Sequence, residues 1–146
     1  MNLPEKDIVH ARRGAFLHDI GETVIPDTIL LKPGPLSDEE WKIIHQHPVH
    51  AYDLLSSIEY LCPALDIPYC HHERWNGSGY PRGLKDTQIP FAARIFSVID
   101  VWDALTSPRP YRTAWEEEKA KNYITQETGT LFDPDVVNSF FRIIEN

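Results

Sequence analysis

The stretch Pro90-Phe-Ala-Ala-Arg-Ile-Phe-Ser-Val-Ile-Asp-Val-Trp-Asp-Ala-Leu105 decides the fold. Phe91, Ile95, Val98, Ile99, Trp102 and Leu105 recur at the spacing of a helix with one buried stripe, and no glycine or proline interrupts them after Pro90. Outward from it, proline and glycine cut the chain into segments of the same kind, with little of the alternation that marks strands. Upstream, 7–20 reads as a helix stopped by Gly21, with Ile8, Ala11, Ala15 and Phe16 near one face. Residues 25–31 read as a short helix with Pro26 in its first turn, closed by Lys32-Pro-Gly34. Ser37-Asp-Glu-Glu40 is a capping box that opens a helix through Trp41, Ile44 and His45. Pro48 forces a break or a new start, so a further helix covers 48–57; another covers 63–75, kinked or delayed by Pro68. The segment 75–84 carries Gly77, Gly79, Pro81 and Gly83 and is a loop. Downstream, one helix runs over 115–128 to Gly129, and the last starts at Asp133, an N-cap followed by Pro134. The fold class is all-α.

A length of 146 residues suits one domain with its own core. With 42% hydrophobic and 25% charged residues the composition is that of a soluble globular protein. Lys+Arg number 14 against 22 Asp+Glu, a formal charge of −8, which argues against non-specific nucleic-acid or membrane-surface binding. The amino end has no cationic segment followed by an apolar run, and no stretch approaches the ~20 apolar residues of a membrane span. Cys62 and Cys70 fit neither a disulfide framework nor a zinc-finger spacing and read as thiols of a reducing cytoplasm. The histidines are uneven: six of seven (His18, His45, His47, His50, His71, His72) fall between positions 18 and 72.

His18 and Asp19 sit just before Gly21, and on their own they read as a hydrogen-bonded helix-terminal His beside a solvated Asp rather than as ligands; the later positions change that reading. His47-Pro48 places an imidazole at a helix boundary. His71 and His72, about 100° apart around a helix, would diverge from one spot but reach two neighbouring ions. Asp100 lies inside the regular helix, where a carboxylate needs a partner or a metal; Arg94 is the competing partner. Asp103 reads as structural, hydrogen-bonded near the helix end. Together His18, Asp19, His47, His71, His72 and Asp100 form a mixed imidazole and carboxylate set that suits Fe, Mn or Zn, whereas Mg prefers oxygen ligands. Such ions lower the pKa of a bound water and clamp phosphoryl oxygens, which would let an acidic protein take an anionic substrate.

His18-Asp-Ile-Gly21, Ile25-Pro-Asp27, Leu30-Leu-Lys-Pro-Gly34, His47-Pro48, His71-His-Glu73, Asn76-Gly-Ser-Gly-Tyr-Pro81, Ile89-Pro90, Ala93-Arg-Ile95, Asp100-Val-Trp-Asp-Ala-Leu-Thr-Ser107 and Arg109-Pro-Tyr-Arg112 occur in that order. Together they resemble the HD-GYP family of metal-dependent cyclic di-GMP phosphodiesterases, from about residue 12 to Phe140. The resemblance implies an HD-domain helical bundle spanning 1–146, with two divalent metals, or three when a preceding helix is present, iron or manganese, that hydrolyses cyclic di-GMP to pGpG and GMP. It implies metal ligation by His18, Asp19, His47, His71, His72 and Asp100, with His18 and Asp19 at the catalytic centre. It also implies substrate contacts from Gly79, Tyr80 and Pro81 of the signature loop and from Arg109 and Arg112, whose planar forks suit phosphate oxygens. Read without the resemblance, the two arginines fit exposed residues or partners of Glu116-Glu-Glu118. The family setting implies a cytoplasmic effector fused or coupled to a sensor or receiver domain, able to form a homodimer.

Two departures bear on activity. The family continues His-Asp-Ile-Gly with Lys, and here Glu22 stands in that place, removing a cation from beside the scissile phosphate. Family domains also carry an earlier helix that supplies a Glu and a His to a third metal; 17 residues precede His18, and the expectation is that this helix is missing. The competing reading is a module that keeps the fold and binds nucleotide or a partner protein without turnover.

Overall fold

The computed structural model describes residues 4–108 and 113–145, and among these the regular structure is helical, with one isolated β-bridge between Thr128 and Phe132. The helices are α1 (Glu5–Phe16), α2 (Asp27–Leu30), α3 (Asp38–Ile44), α4 (His47–Ser56), α5 (Asp66–Cys70), α6 (Phe91–Thr106), α7 (Glu117–Gln126) and α8 (Pro134–Ile144). Three short 3-10 turns cover Ile20–Val24, Glu59–Ala64 and Asp86–Gln88. None of the described helices is long and apolar enough to cross a membrane. The described residues fall into two compact units, one of 4–72 with 80–82, the other of 73–79 with 83–108 and 113–145.

In the N-terminal unit, small residues let backbones approach. A Cβ added at Gly14 of α1 would lie 2.6 Å from the Ala64 carbonyl oxygen, so α1 lies directly on the 3-10 turn that precedes α5. Gly21 is tighter still: its Cβ would stand 1.9 Å from the His47 carbonyl oxygen. Only glycine lets the Ile20–Val24 turn rest on the first turn of α4. The buried set of this unit is Ile25, Ala51, Leu55, Ala64, Ile67 and Cys70, together with His47 and His71. Two imidazoles inside an apolar interior are the first structural sign that this core also serves chemistry.

The expected helix over 7–20 ends earlier, at Phe16, and Gly21 belongs to the 3-10 turn rather than closing α1. The close contact with His47 requires that turn, and a continuing α-helix would carry Gly21 away from it. The expected helix over 63–75 is a 3-10 turn through Pro63 followed by the short α5, which does start late, with Pro68 in its first turn where no backbone donor is needed. The capping box forms as read: Glu40 N–H donates to Ser37 Oγ at 3.3 Å, and Ser37 N–H donates to Glu40 Oε2 at 2.7 Å. Pro48 lies in the first turn of α4, which makes it a new start.

In the C-terminal unit, α6, α7 and α8 enclose Val98, Ile124, Phe132, Val136 and Val137, with Phe91, Ile95, Trp102 and Phe140 packed against them. Each fully buried side chain of this size contributes about 1.5–3 kcal/mol. Ile99, expected in the buried stripe, is 44% exposed; it lies with Ile143 at the rim of a shallow apolar groove between α6 and α8. Asp133 caps α8 by accepting from Asp135 N–H at 2.8 Å, and its other oxygen accepts from Arg94 at 2.7 Å. Arg94 therefore pairs with Asp133. Asp103 accepts from Ser107 Oγ at 3.0 Å near the end of α6, as expected.

Candidate metal centre

Asp19 occupies the position between α1 and the Ile20–Val24 turn, His47 opens α4, His71 caps the end of α5 and His72 follows it. Asp19, His47, His71 and His72 each offer one ligand atom, and the four atoms lie within 4.8 Å of one another. Asp19 Oδ1 is 3.5 Å from His47 Nε2 and 3.4 Å from His71 Nε2. The two Nε2 atoms are 3.3 Å apart. Two donors bound at about 2.1 Å to one ion stand roughly 3.0–3.4 Å apart at octahedral or tetrahedral angles, so this triangle has the dimensions of a coordination sphere.

The outer nitrogens explain why the inner ones face each other. His47 Nδ1 donates to the Ile44 carbonyl at 2.8 Å, and His71 Nδ1 donates to the Ile67 carbonyl at 3.0 Å. These bonds fix each ring plane and leave both Nε2 lone pairs pointing into the site, the arrangement that metal-ligating histidines adopt. Two buried lone pairs at 3.3 Å repel unless a cation or a shared proton lies between them. The donor set, imidazole nitrogen and one carboxylate, fits a first-row transition ion.

His18 has the same construction. Its Nδ1 lies 2.8 Å from the Ala15 carbonyl, and its Nε2 lies 3.0 Å from Asp19 Oδ2, so Asp19 turns one oxygen to His18 and the other to His47 and His71. Burial alone would raise the Asp19 carboxyl, but the His18 and His71 imidazoles beside it outweigh burial and hold the group well below the usual carboxylate range. Asp19 is therefore an anion throughout the working range. His47 is displaced downward from its ordinary value, first by burial, so it stays neutral and able to ligate. Glu22, one turn on from Asp19, is pushed up by burial and by the Asp19 charge.

His71 and His72 do not diverge as the helical spacing suggested. His72 lies beyond the end of α5, where that spacing no longer applies, and the two ring centroids are 4.1 Å apart. Tyr80 belongs to the same unit: its N–H donates to the His72 carbonyl at 3.2 Å, and its ring stacks on His72 at 4.7 Å and on His45 at 4.0 Å. Two imidazoles this near one ring centroid do not fit on the same face, so both faces of Tyr80 are covered. Pro81 follows across a cis peptide bond, and Gly79 and Pro81 are half-buried.

The rest of the loop is shaped within the other unit. Gly77 has φ +83°, Ser78 N–H donates to Asn76 Oδ1 at 2.9 Å, and Leu84 N–H donates to Glu73 Oε2 at 2.8 Å. Glu73 is 2% exposed and joins the two ends of the loop, a role that sequence reading did not assign. Asp100 is half-buried on α6, on the face of Ala93 and Ser97. Arg109 and Arg112 lie outside the described residues. His45 was visible in the sequence as a member of the histidine-rich stretch, without a role.

The HD domain family profile matches residues 1–136. The chain is 42% identical over 144 residues to the cyclic di-GMP phosphodiesterase response regulator RpfG of Xanthomonas campestris, covering 97% of this chain and 38% of that protein. It is 42% identical over 145 residues to a cyclic di-GMP phosphodiesterase of Thermotoga maritima, covering 98% and 39%. A 3'3'-cGAMP-specific phosphodiesterase 2 of Vibrio cholerae is 36% identical over 137 residues, covering 92% and 26%. Among solved structures, a cyclic GMP-AMP specific phosphodiesterase of Vibrio cholerae aligns with a TM-score of 0.74 at 20% identity, covering 99% of this chain and 40% of that one. The chain thus spans less than two fifths of the length of each of these curated relatives. The motif-based resemblance and the all-α expectation are both borne out. With its His18-Asp19 pair set against buried histidines on α4 and after α5, this chain belongs to the HD domain family.

Proposed function

We propose that the chain is the catalytic part of a divalent-metal phosphodiesterase that hydrolyses cyclic di-GMP to pGpG and GMP. The observation that carries this reading is the Asp19, His47 and His71 triangle, with its lone pairs aimed inward by backbone carbonyls. His18, Asp19, His47, His71 and His72 would hold two ions, iron or manganese, and the sequence motif adds Asp100. Ions in such a site activate water for attack on phosphorus and neutralise charge on the phosphoryl oxygens.

The chain's own residues supply the rest. Asp19, kept ionised, divides its two oxygens between His18 and the His47–His71 pair and so sets the spacing of whatever they bind. His47 and His71, 3% and 0% exposed in their side chains, exclude water from one side of the cluster. Tyr80 lies against the cluster through His72, and with Gly79 and Pro81 it would contact a nucleotide, meeting it with its edge and hydroxyl because its faces are taken. Arg109 and Arg112 would bind phosphate oxygens. Relatives named for cyclic di-GMP and for 3'3'-cGAMP both support a cyclic dinucleotide, and the higher identities belong to the former. Because those relatives are longer, we place the chain beside a sensor or receiver domain in a signalling protein.

Glu22 favours a second reading, a module that binds nucleotide or a partner without turnover. Its carboxyl lies within the field of Asp19, His18 and His71, where the family has a cation. The deciding experiment loads protein purified without oxygen with Mn or Fe and follows cyclic di-GMP hydrolysis, with metal content measured on the same sample. We expect turnover that Asp19→Ala abolishes and that Glu22→Lys raises by about tenfold, equivalent to ~1.4 kcal/mol of electrostatic stabilisation. Metal-loaded protein with no turnover, and none gained in Glu22→Lys, establishes the binding module instead.

A further inference from the structure

We infer that His45 is a positioning residue for the metal centre, acting through the Tyr80 ring on His72. The inference rests on reading the histidine cluster as a metal centre. His45 caps the end of α3, two residues before His47, and its N–H donates to the Trp41 carbonyl at 2.9 Å. Its imidazole stacks on Tyr80 with centroids 4.0 Å apart and planes 23° apart. Tyr80 in turn stacks on His72 at 4.7 Å and 22°. Trp41, one turn back on α3, leans on His45 at 5.6 Å and 45°. Four aromatic rings thus run in file from an exposed indole to an imidazole of the cluster.

The file acts on the one freedom a ligating histidine must lose. The terminal torsion of an imidazole is broad and roughly two-fold, so the backbone alone leaves the ring plane loosely set. His47 and His71 are held by their Nδ1 bonds to Ile44 and Ile67. For His72 a flat partner at stacking distance constrains the plane, and His47 lies against it in a T-shaped contact at 4.9 Å and 90°. Tyr80 itself stands on a loop with glycines at 77, 79 and 83, so a ring packed on its other face adds to its placement. The main-chain bond from Tyr80 to His72 fixes where the residue is, and His45 on the opposite face fixes how its ring lies. A stack is weaker than the hydrogen-bonded outer partners whose loss costs 10–100-fold in metal affinity, so an effect of about threefold to tenfold is expected.

The test is the Mn2+ affinity of chelator-stripped protein, titrated by calorimetry without substrate. We expect His45→Ala to weaken Mn2+ binding about threefold to tenfold and His45→Phe, which can stack but cannot ligate, to restore it. In a Tyr80→Leu background, His45→Ala should cost nothing further. This cycle isolates the coupling even if either single variant also lowers the thermal midpoint. An unchanged affinity in His45→Ala, a failure of Phe to restore it, or the same loss with Tyr80 already removed overturns the inference while leaving the metal centre intact. A parent protein that binds no Mn2+ overturns the metal centre itself, and the inference with it.

Discussion

His47 illustrates what burying an imidazole costs the fold. Its side chain is 3% exposed, and burial, partly offset by the Ile44 carbonyl, displaces its pKa below the ordinary 6.5. The unfolded chain therefore takes up a proton at this residue before the folded chain does. His47 contributes stability that is fully present above about pH 6.5 and is lost as pH falls toward its depressed folded value. The Asp19 carboxyl does not titrate in this window, since its neighbours hold it far below. Metal-free protein should consequently show a thermal midpoint that falls between about pH 7 and about pH 5.5, and His47→Gln should flatten that profile. An equally steep profile in the variant would move the effect to other histidines. That His47 is a candidate ligand was legible from its neighbours in the motif. That its Nδ1 would be spent on Ile44 was not, because that bond depends on the turn between α3 and α4.

The element that brings Asp19 to His47 is the Ile20–Val24 turn, and it works only because residue 21 has no side chain. A methyl group there would sit 1.9 Å from the His47 carbonyl oxygen and 2.7 Å from the Ala51 nitrogen, both backbone atoms that cannot swing aside. Gly21→Ala should thus cost about 3 kcal/mol in urea unfolding, the upper part of the overpacking range. It should also weaken Mn2+ binding, because relief of the clash moves the turn, and Asp19 with it, off α4. A stable variant with parent affinity would mean that the turn is not what sets the ligand geometry. The elements written in local chemistry were readable in advance: Ser37 with Glu40, Asp133 with Pro134, and Pro68 at a late start. The elements set by a distant contact were not. α1 stops at Phe16 because the chain must turn to meet α4, and Ile99 is exposed because the α6–α8 packing draws the stripe toward Val98 and Trp102. His45 gave no signal since its partner, Tyr80, is 35 positions away in the chain and reaches it only through the folding back of the loop.

At the scale of the whole molecule the governing quantity is charge. The chain carries −8 at neutral pH, and the residues nearest the centre include two carboxylates, Asp19 and Glu22. The cyclic dinucleotide proposed as substrate would bring two phosphodiester anions to that field. Without a bound cation the long-range term is repulsive, so on the proposed function a metal would have to supply attraction as well as chemistry. Loading should stabilise the fold, by about 2.7 kcal/mol at a hundredfold excess over Kd, and thermal unfolding with and without chelator reads this directly. The same dependence should govern substrate binding. With a phosphorothioate analogue that resists hydrolysis, we expect affinity in Mn2+ to exceed affinity in chelator by on the order of a hundredfold, equivalent to ~2.7 kcal/mol. In chelator the residual binding should strengthen with added salt, because screening relieves like-charge repulsion; with Mn2+ bound it should weaken. Tight binding of the analogue in chelator would assign recognition to side chains such as Arg109 and Arg112 instead, and would leave the metals only the chemical step.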